Sequence, residues 1–438
     1  MSDSPEAVAR FLLLAGIRAV NPRHLTASAL ATWTAGIEVR SVDVIAIGKA
    51  AAGMVQGAGD ALGRAVRSGI VIAPDPVADL PGGVTAFVGG HPMPNAEGER
   101  GARAVIELLR EPARGRRTLV LISGGASSLM TLPREGLTLD DVIATSRALM
   151  AAGADITELN CVRKHLDQLK GGQLAQVAAG AAIRTLVLSD VIGDPLDVIG
   201  SGPLVPDPTT YDDAIGVLRK RGVWGLLPEA VREHLLAGAR GEHPETPKAG
   251  DPCFARIDID VIGNNAVAVQ GAAAEARRRG FEVEIVATPI SGEARVAGEE
   301  FARKALDLLK RKGRSRHLCL IGGGETTVTV TGSGLGGRNL EFAAAAALSI
   351  DGMNGVAIGS VGTDGRDGPT DAAGAVVDGR SAERARAAET DLAKHLVNND
   401  TLIALDRAGA VLVTGATGTN VMDICVAAFA PAATSQRS

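Results

Sequence analysis

The chain has 438 residues, of which 46% are hydrophobic and 22% charged, with a formal net charge of −5. That is the balance of a globular protein long enough for two or three domains. With aromatics at only 2% and no basic stripe, it excludes a charged or base-stacking nucleic-acid surface. The cysteines (Cys161, Cys253, Cys319, Cys425) lie far apart without a CxxC pair, and the histidines show no HxxxH or HExxH spacing. A disulfide framework and a structural zinc site are therefore excluded, and a reducing compartment is expected. The first residues are acidic (Asp3, Glu6), and the apolar run Phe11–Ile17 closes at Arg18. This suits neither a secretory leader nor a membrane span, and a soluble, cytoplasmic protein is the expectation.

In chain order, Val42–Ile47 reads as a strand and Lys49–Val66 as the helix after it. Gly69–Ala73 and Val84–Val88 are further strands, followed by a helix over Ala96–Arg110. The strand Thr118–Ile122 precedes a Gly/Ser turn, helices over Leu139–Ala151 and Leu159–Ala178, and the strand Thr185–Ser189. These strands are apolar throughout, as expected where helices cover both faces. The βα alternation predicts an α/β fold with a doubly wound, mostly parallel, Rossmann-like N-terminal sheet over residues 1–240. The segment Gly238–Phe254 holds three prolines and mixed charges, and reads as a linker. A second α/β domain is expected over 255–430, with the active site in the cleft between lobes. Its strands are Ile259–Ile262, Phe281–Ala287, Leu318–Ile321, Thr326–Thr331, Val356–Ser360 and Val411–Thr414.

Ligands of such folds lie beyond the carboxyl ends of parallel strands. Lys49 follows the first strand, at a helix start where a lysine reaches an anion; the plain alternative is a solvated lysine in a capping turn. Ser123, Gly124, Gly125, Ser127 and Ser128 follow Thr118–Ile122, with glycines and hydroxyls suited to phosphate, or to an ordinary tight turn. Gly323, Gly324, Glu325 and Thr326 look like the same device in the second half. The loop Gly332–Gly337, GSGLGG, matches the dinucleotide fingerprint formally. Against that reading, TVTVT before it alternates polar and apolar, and no acid lies about 20 residues on. A glycine loop over phosphates, followed by Arg338, fits equally well.

Two carboxylate groups follow strands: Asp190, Asp194 and Asp197, then Asp364, Asp367 and Asp371. Magnesium needs one or two carboxylates beside water and phosphate. Asp190, closest to its strand end, is the metal or base candidate, with Asp194 and Asp364 as further metal candidates. Asp197 and Asp367 read as turn residues. In NCVRKHLDQLKGG, the basic residues suit a solvated helix face, while Asn160, Arg163 and Lys164 are the candidates for an acidic substrate. His165 reads as a packed or surface histidine, and His91, in HPMP, is the histidine open as a proton donor.

The segments GKAAAGM, GGHPMPN, ISGGASSL, NCVRKHLDQLKGG, LSDVIGDPLDVIGSGP, IGGGETTVTVTGSGLGGRNLEFA and GTDGRDGPTDAAGA, in this order, resemble the type II glycerate kinases, whose C-terminal part is the MOFRL domain. The resemblance implies ATP-dependent phosphorylation of D-glycerate to 2-phosphoglycerate with magnesium. It also implies that Lys49 and Arg338 are the catalytic pair. Some members carry the label hydroxypyruvate reductase, so NAD(P)H-dependent reduction stands as the alternative. Phosphoryl transfer asks for phosphate cradles, cations and carboxylates rather than a histidine proton donor, and these residues match that demand.

Overall fold

Short β-branched runs that bury both faces assemble into a central sheet, and the computed structural model shows two such sheets. It describes residues 4–35, 39, 41–110, 117–178, 181–313 and 316–430. The residues cluster into two compact units, Pro22–Ile262 and Met1–Asn21 with Gly263–Ser438.

The first unit contains β1 (Val42–Ile47), β2 (Val66–Ala73), β3 (Val84–Val88), β4 (Arg117–Ser123), β5 (Ala182–Leu188) and β6 (Ile257–Gly263, whose last residue belongs to the other unit), in the order β3-β2-β1-β4-β5-β6. The pairs β2–β3, β1–β2, β1–β4 and β4–β5 are parallel. Every side chain of β1 is buried, as the apolar run requires. The order reverses between β1 and β4, so the loops after β1, β4 and β5 open side by side.

The second unit holds β7 (Glu282–Ile285), β8 (Ile290–Glu293), β9 (Leu318–Thr327), β10 (Val356–Gly362), β11 (Gly374–Asp378), β12 (Val411–Leu412) and β13 (Asp423–Phe429). Its sheet runs β12-β11-β10-β13-β9-β7, with β8 also on β9. The four pairs from β12 to β9 are antiparallel, while β7 and β8 lie parallel to β9. The helix Arg338–Ser349 is buried at every residue from Asn339 to Ala347, which explains its alanine run.

The structure departs from the sequence reading in four places. The first helix, Pro5–Ala19, clusters with the C-terminal half and not with residues 22–240. Strand β6, expected in the second lobe, joins the first sheet beside β5. Gly238–Phe254 is packed rather than a free linker: Thr246 is buried, its hydroxyl donates to Asp207 at 3.0 Å, and Glu245 accepts from the Tyr211 amide at 2.8 Å. Finally, the helix expected over Leu159–Ala178 is two, Ile156–Leu166 and Gln173–Val177, separated at Asp167.

Candidate active site

In the first unit, β1, β4 and β5 deliver Lys49, the Ser123–Ser128 turn and Asp190. The β1 and β4 loops are stitched together: the Lys49 amide donates to Gly124 O at 2.8 Å and the Ala50 amide to Ser123 Oγ at 3.0 Å. Ser123 is thus a buried tie, and Ser128 Oγ donates back to Gly125 O at 3.2 Å. Those two hydroxyls serve the turn and not a ligand, whereas Ser127 is only half-buried. Gly124 has to be glycine, because a Cβ there would sit 1.8 Å from Asp190 Oδ2. At Gly125 (φ +82°) an added Cβ would lie 3.0 Å from His91 Cδ2, 3.3 Å from His91 Nε2 and 3.3 Å from Lys49 Cγ.

The helix Ile156–Leu166 brings the next groups. It starts at a capping box between Asp155 and Glu158, so its register is set at the first turn. Residues three apart share a face, and Asn160 and Arg163 do so here. Asn160 Oδ1 accepts from Ser201 Oγ at 2.8 Å, and Ser201 Oγ lies 2.7 Å from Ser127 Oγ. Ser201 has a left-handed backbone (φ 62°), a strained state held by the surrounding amide bonds from Gly171 to Ser201 O and Gly172 to Gly202 O. Arg163 donates through Nε to Ser146 Oγ at 3.3 Å. Among the described residues neither the Arg163 guanidinium nor the Lys49 ammonium has a carboxylate partner. Burial lowers the Arg163 pKa from its ordinary value, opposed by Asp167. Burial, then Lys49, then Arg163 push the His91 imidazole down to about 4. Two cations and a largely neutral histidine beside a glycine turn are an arrangement suited to an anion.

The other basic residues of this stretch are structural, which corrects the solvated-face reading. Lys164 is buried and its Nζ lies 3.1 Å from Asp207 Oδ1, so its charge is spent within the protein and not on a substrate. Lys170 is buried and binds Asp167, Met130 O at 3.1 Å and Thr131 Oγ1 at 3.2 Å. His165 is fully buried with Nδ1 2.8 Å from Cys161 O, a packed histidine as expected.

In the second unit Arg338 opens its helix in the grip of Asp423, with Nε–Oδ2 at 2.7 Å and Nη2–Oδ1 at 3.0 Å. Glu325 accepts from Nη1 at 2.6 Å. Burial opposes the charge on Arg338, yet Asp423, Glu325 and Asp367 outweigh it and raise its pKa. Burial pushes Asp423 up to about 6 against the pull of Arg338 and Asn339. Asp367 is not a turn residue of the exposed kind: it is buried and accepts from the Asn339 and Leu340 amides at 3.0 and 2.8 Å, capping the helix. Gly323 and Gly324 form no cradle, because they sit inside β9 opposite Ile424 and Asp423 of β13. Glu325 and the buried Thr326 continue that strand opposite Ser291 and Gly292 of β8. The expected strand Thr326–Thr331 is the end of β9 followed by a loop.

The GSGLGG loop is equally committed. The Thr331 and Gly332 amides donate to Asn399 Oδ1 at 2.8 and 2.9 Å, Gly334 to Asn398 O at 3.1 Å and Leu335 to Asp400 Oδ1 at 2.9 Å. A Cβ on Gly334 would meet Asp400 Cβ at 2.1 Å. These glycines allow the loop to lie on the 398–400 turn, and the Gly332 and Gly334 amides are taken up there.

Among the described residues no group of three or more His, Cys, Asp or Glu is placed to hold a metal ion. Asp190 alone, against Gly124, suits a magnesium ion whose remaining ligands are water and phosphate oxygens. Asp194 sits in a left-handed turn (φ 52°). Asp364 belongs to the other unit, where its Oδ1 accepts from the Arg366 amide at 3.0 Å. The residues missed in the sequence, Ser201 and Asp423, carried no local signal of a role, whereas the sequence leaves His91 open as a proton donor. Ser201 and His91 lie inside GSGP and GGHPMPN, which otherwise read as turns.

This α/β arrangement, with a glycine turn and a lysine after parallel strands and an arginine on a nearby helix, suits an enzyme that handles phosphate. Residues 8–236 match the family profile described as Domain of unknown function (DUF4147), and residues 318–423 match the MOFRL family. A D-glycerate 2-kinase of Thermotoga maritima is 41% identical over 88% of this chain and 90% of its own length. A putative hydroxypyruvate reductase of Agrobacterium vitis is 37% identical over 87% of this chain and 85% of its own. The crystal structure of the Thermotoga maritima glycerate kinase superimposes with a TM-score of 0.86 at 38% identity, covering 97% of this chain and 99% of that one. The chain belongs to the glycerate kinase family built from these two parts.

Proposed function

We propose that this chain transfers the γ-phosphoryl group of ATP to the 2-hydroxyl of D-glycerate, with magnesium, giving 2-phosphoglycerate. The observation that carries the reading is the pair of half-buried cations, Lys49 and Arg163, which among the described residues have no hydrogen-bonded carboxylate partner, beside the Gly124–Gly125 turn. An acid carrying a carboxylate and accepting a phosphoryl group supplies the missing negative charge. Arg163 and Asn160 suit the carboxylate and hydroxyls of glycerate, since a guanidinium can grip a carboxylate through two bonds. Lys49 acts as a point charge on the transferred group. Asp190 would hold magnesium, which when bound neutralises charge on the β- and γ-phosphates. Arg338, held by Asp423 and Glu325, is the second proposed catalytic cation. In such a reaction positioning and charge stabilisation carry the rate.

Hydroxypyruvate reduction is the second reading. The committed amides of the GSGLGG loop weigh against it, because a dinucleotide pyrophosphate needs those donors. One experiment separates the two. ADP release with D-glycerate and magnesium, coupled to enolase without a mutase, supports the kinase and the carbon together. NADH oxidation by hydroxypyruvate without ADP release overturns it.

A further inference from the structure

The segment GGHPMPN has no part in the function above, yet it is built with care. Asn95 clamps it from both sides: its Nδ2 donates to Val88 O at 3.1 Å and its Oδ1 accepts from the Gly98 amide at 2.8 Å. A Cβ on Gly89 would meet Leu129 O at 2.9 Å, so the loop lies directly on the segment that follows the Ser123–Ser128 turn. At its tip the Cδ2–Nε2 edge of His91 faces Gly125 and the Lys49 side chain. The residue remains exposed to solvent, and among the described residues neither ring nitrogen has a hydrogen-bond partner. A histidine held by its loop but not by its ring is available to a ligand.

We propose that His91, set by its loop against Gly125 and the Lys49 side chain, touches the acceptor and takes the proton of its hydroxyl. The inference rests on the kinase reading. The charged groups that face the ring are Lys49, from the loop after β1, and Arg163, from the helix Ile156–Leu166. With the site empty they join burial in holding the ring neutral, at about 4. A carboxylate on Arg163 and a phosphoryl group near Lys49 offset these two smaller causes and raise the basicity of the ring, while burial, the largest cause, persists. In the transfer, the acceptor oxygen forms its bond to the γ-phosphorus. The bond from that phosphorus to the β–γ bridging oxygen breaks, its electron pair leaving on ADP. The hydroxyl proton passes to His91 Nε2 and is released to water with the products. A base that gains proton affinity as the anionic acceptor binds is matched to this task.

The test uses the full-length enzyme. Nitrogen-15 NMR of the His91 ring at about pH 6 should show neutral imidazole alone and a larger protonated fraction with saturating D-glycerate. An unchanged ring overturns the coupling. In steady-state assays His91→Gln should lower kcat by about 10²-fold or more with KM within a few-fold, and added imidazole should restore part of the activity of His91→Ala. Wild-type kcat in His91→Gln overturns the proton transfer, as does a loss confined to KM without imidazole rescue. Absence of ADP from the wild-type enzyme overturns the kinase reading itself, a result distinct from a loss confined to the His91 variants.

Discussion

Arg163→Met should separate binding from folding, because among the described residues no carboxylate is hydrogen-bonded to the guanidinium, which on the proposed function meets the substrate anion. Among the described residues its side chain is anchored by the 3.3 Å bond from Nε to Ser146 Oγ. A neutral hydrogen bond of this kind contributes about 1 kcal/mol. Against this, methionine removes a desolvated charge whose burial already lowers its pKa. The two effects offset to within about 1 kcal/mol, so Tm should move by no more than about 4 °C. Binding is different. At an effective dielectric of about 20, a unit pair at about 4 Å gains about 4 kcal/mol, while bonds to charged groups measured by substitution contribute about 1.5–3 kcal/mol. The measured scale is the better guide, and it converts to a rise of about 10- to 150-fold in KM for glycerate. Steady-state kinetics across glycerate concentration, with a thermal melt of the same preparation, checks both halves. A fall in Tm beyond about 10 °C with KM unchanged would show that Arg163 supports the helix Ile156–Leu166 and meets no substrate.

Lys170→Met should behave in the opposite way. It strands Asp167 in a buried site at a cost of about 3–5 kcal/mol, visible as a lower denaturant midpoint. Gly124→Ala should drive the Asp190 carboxylate aside, since the new methyl would lie 1.8 Å from Oδ2; a magnesium titration should show a higher requirement, and a wild-type titration would remove Asp190 from the metal site. Asp423 titrates from 3.8 to about 6 on folding, so the native state binds the proton more tightly. Its contribution to stability is full below about pH 4 and is lost as pH rises through about 6. Asp423→Asn should abolish that component of the pH dependence of unfolding, and an unchanged profile would show that another group carries it.

Much of the first sheet was legible because its cause is local. An apolar run of strand length, followed by glycine and a helical stretch, states its own burial, and β1, β3, β4 and β5 appear where that pattern places them. The same locality exposed Lys49, the Gly124–Gly125 turn and Asp190, since each directly follows a strand.

Pairing between distant segments is not written in any such pattern. Asp423 reaches Arg338 across 85 residues only because β13 inserts between β9 and β10. A short apolar run such as Asp423–Phe429 does not declare its neighbours. Glycine is ambiguous for the same reason. In Gly322–Gly324 its small size admits Asn265 and Ile290 to the flank of a strand, while in Gly124–Gly125 it admits Asp190 and His91 to a turn. Sequence shows that something approaches the backbone closely; what approaches is decided by the packing of elements far apart in the chain. Charge follows the same rule. Lys49, Arg163, Lys164 and Lys170 are alike as residue types, and only the fold pairs two of them with buried aspartates and leaves the other two for an anion.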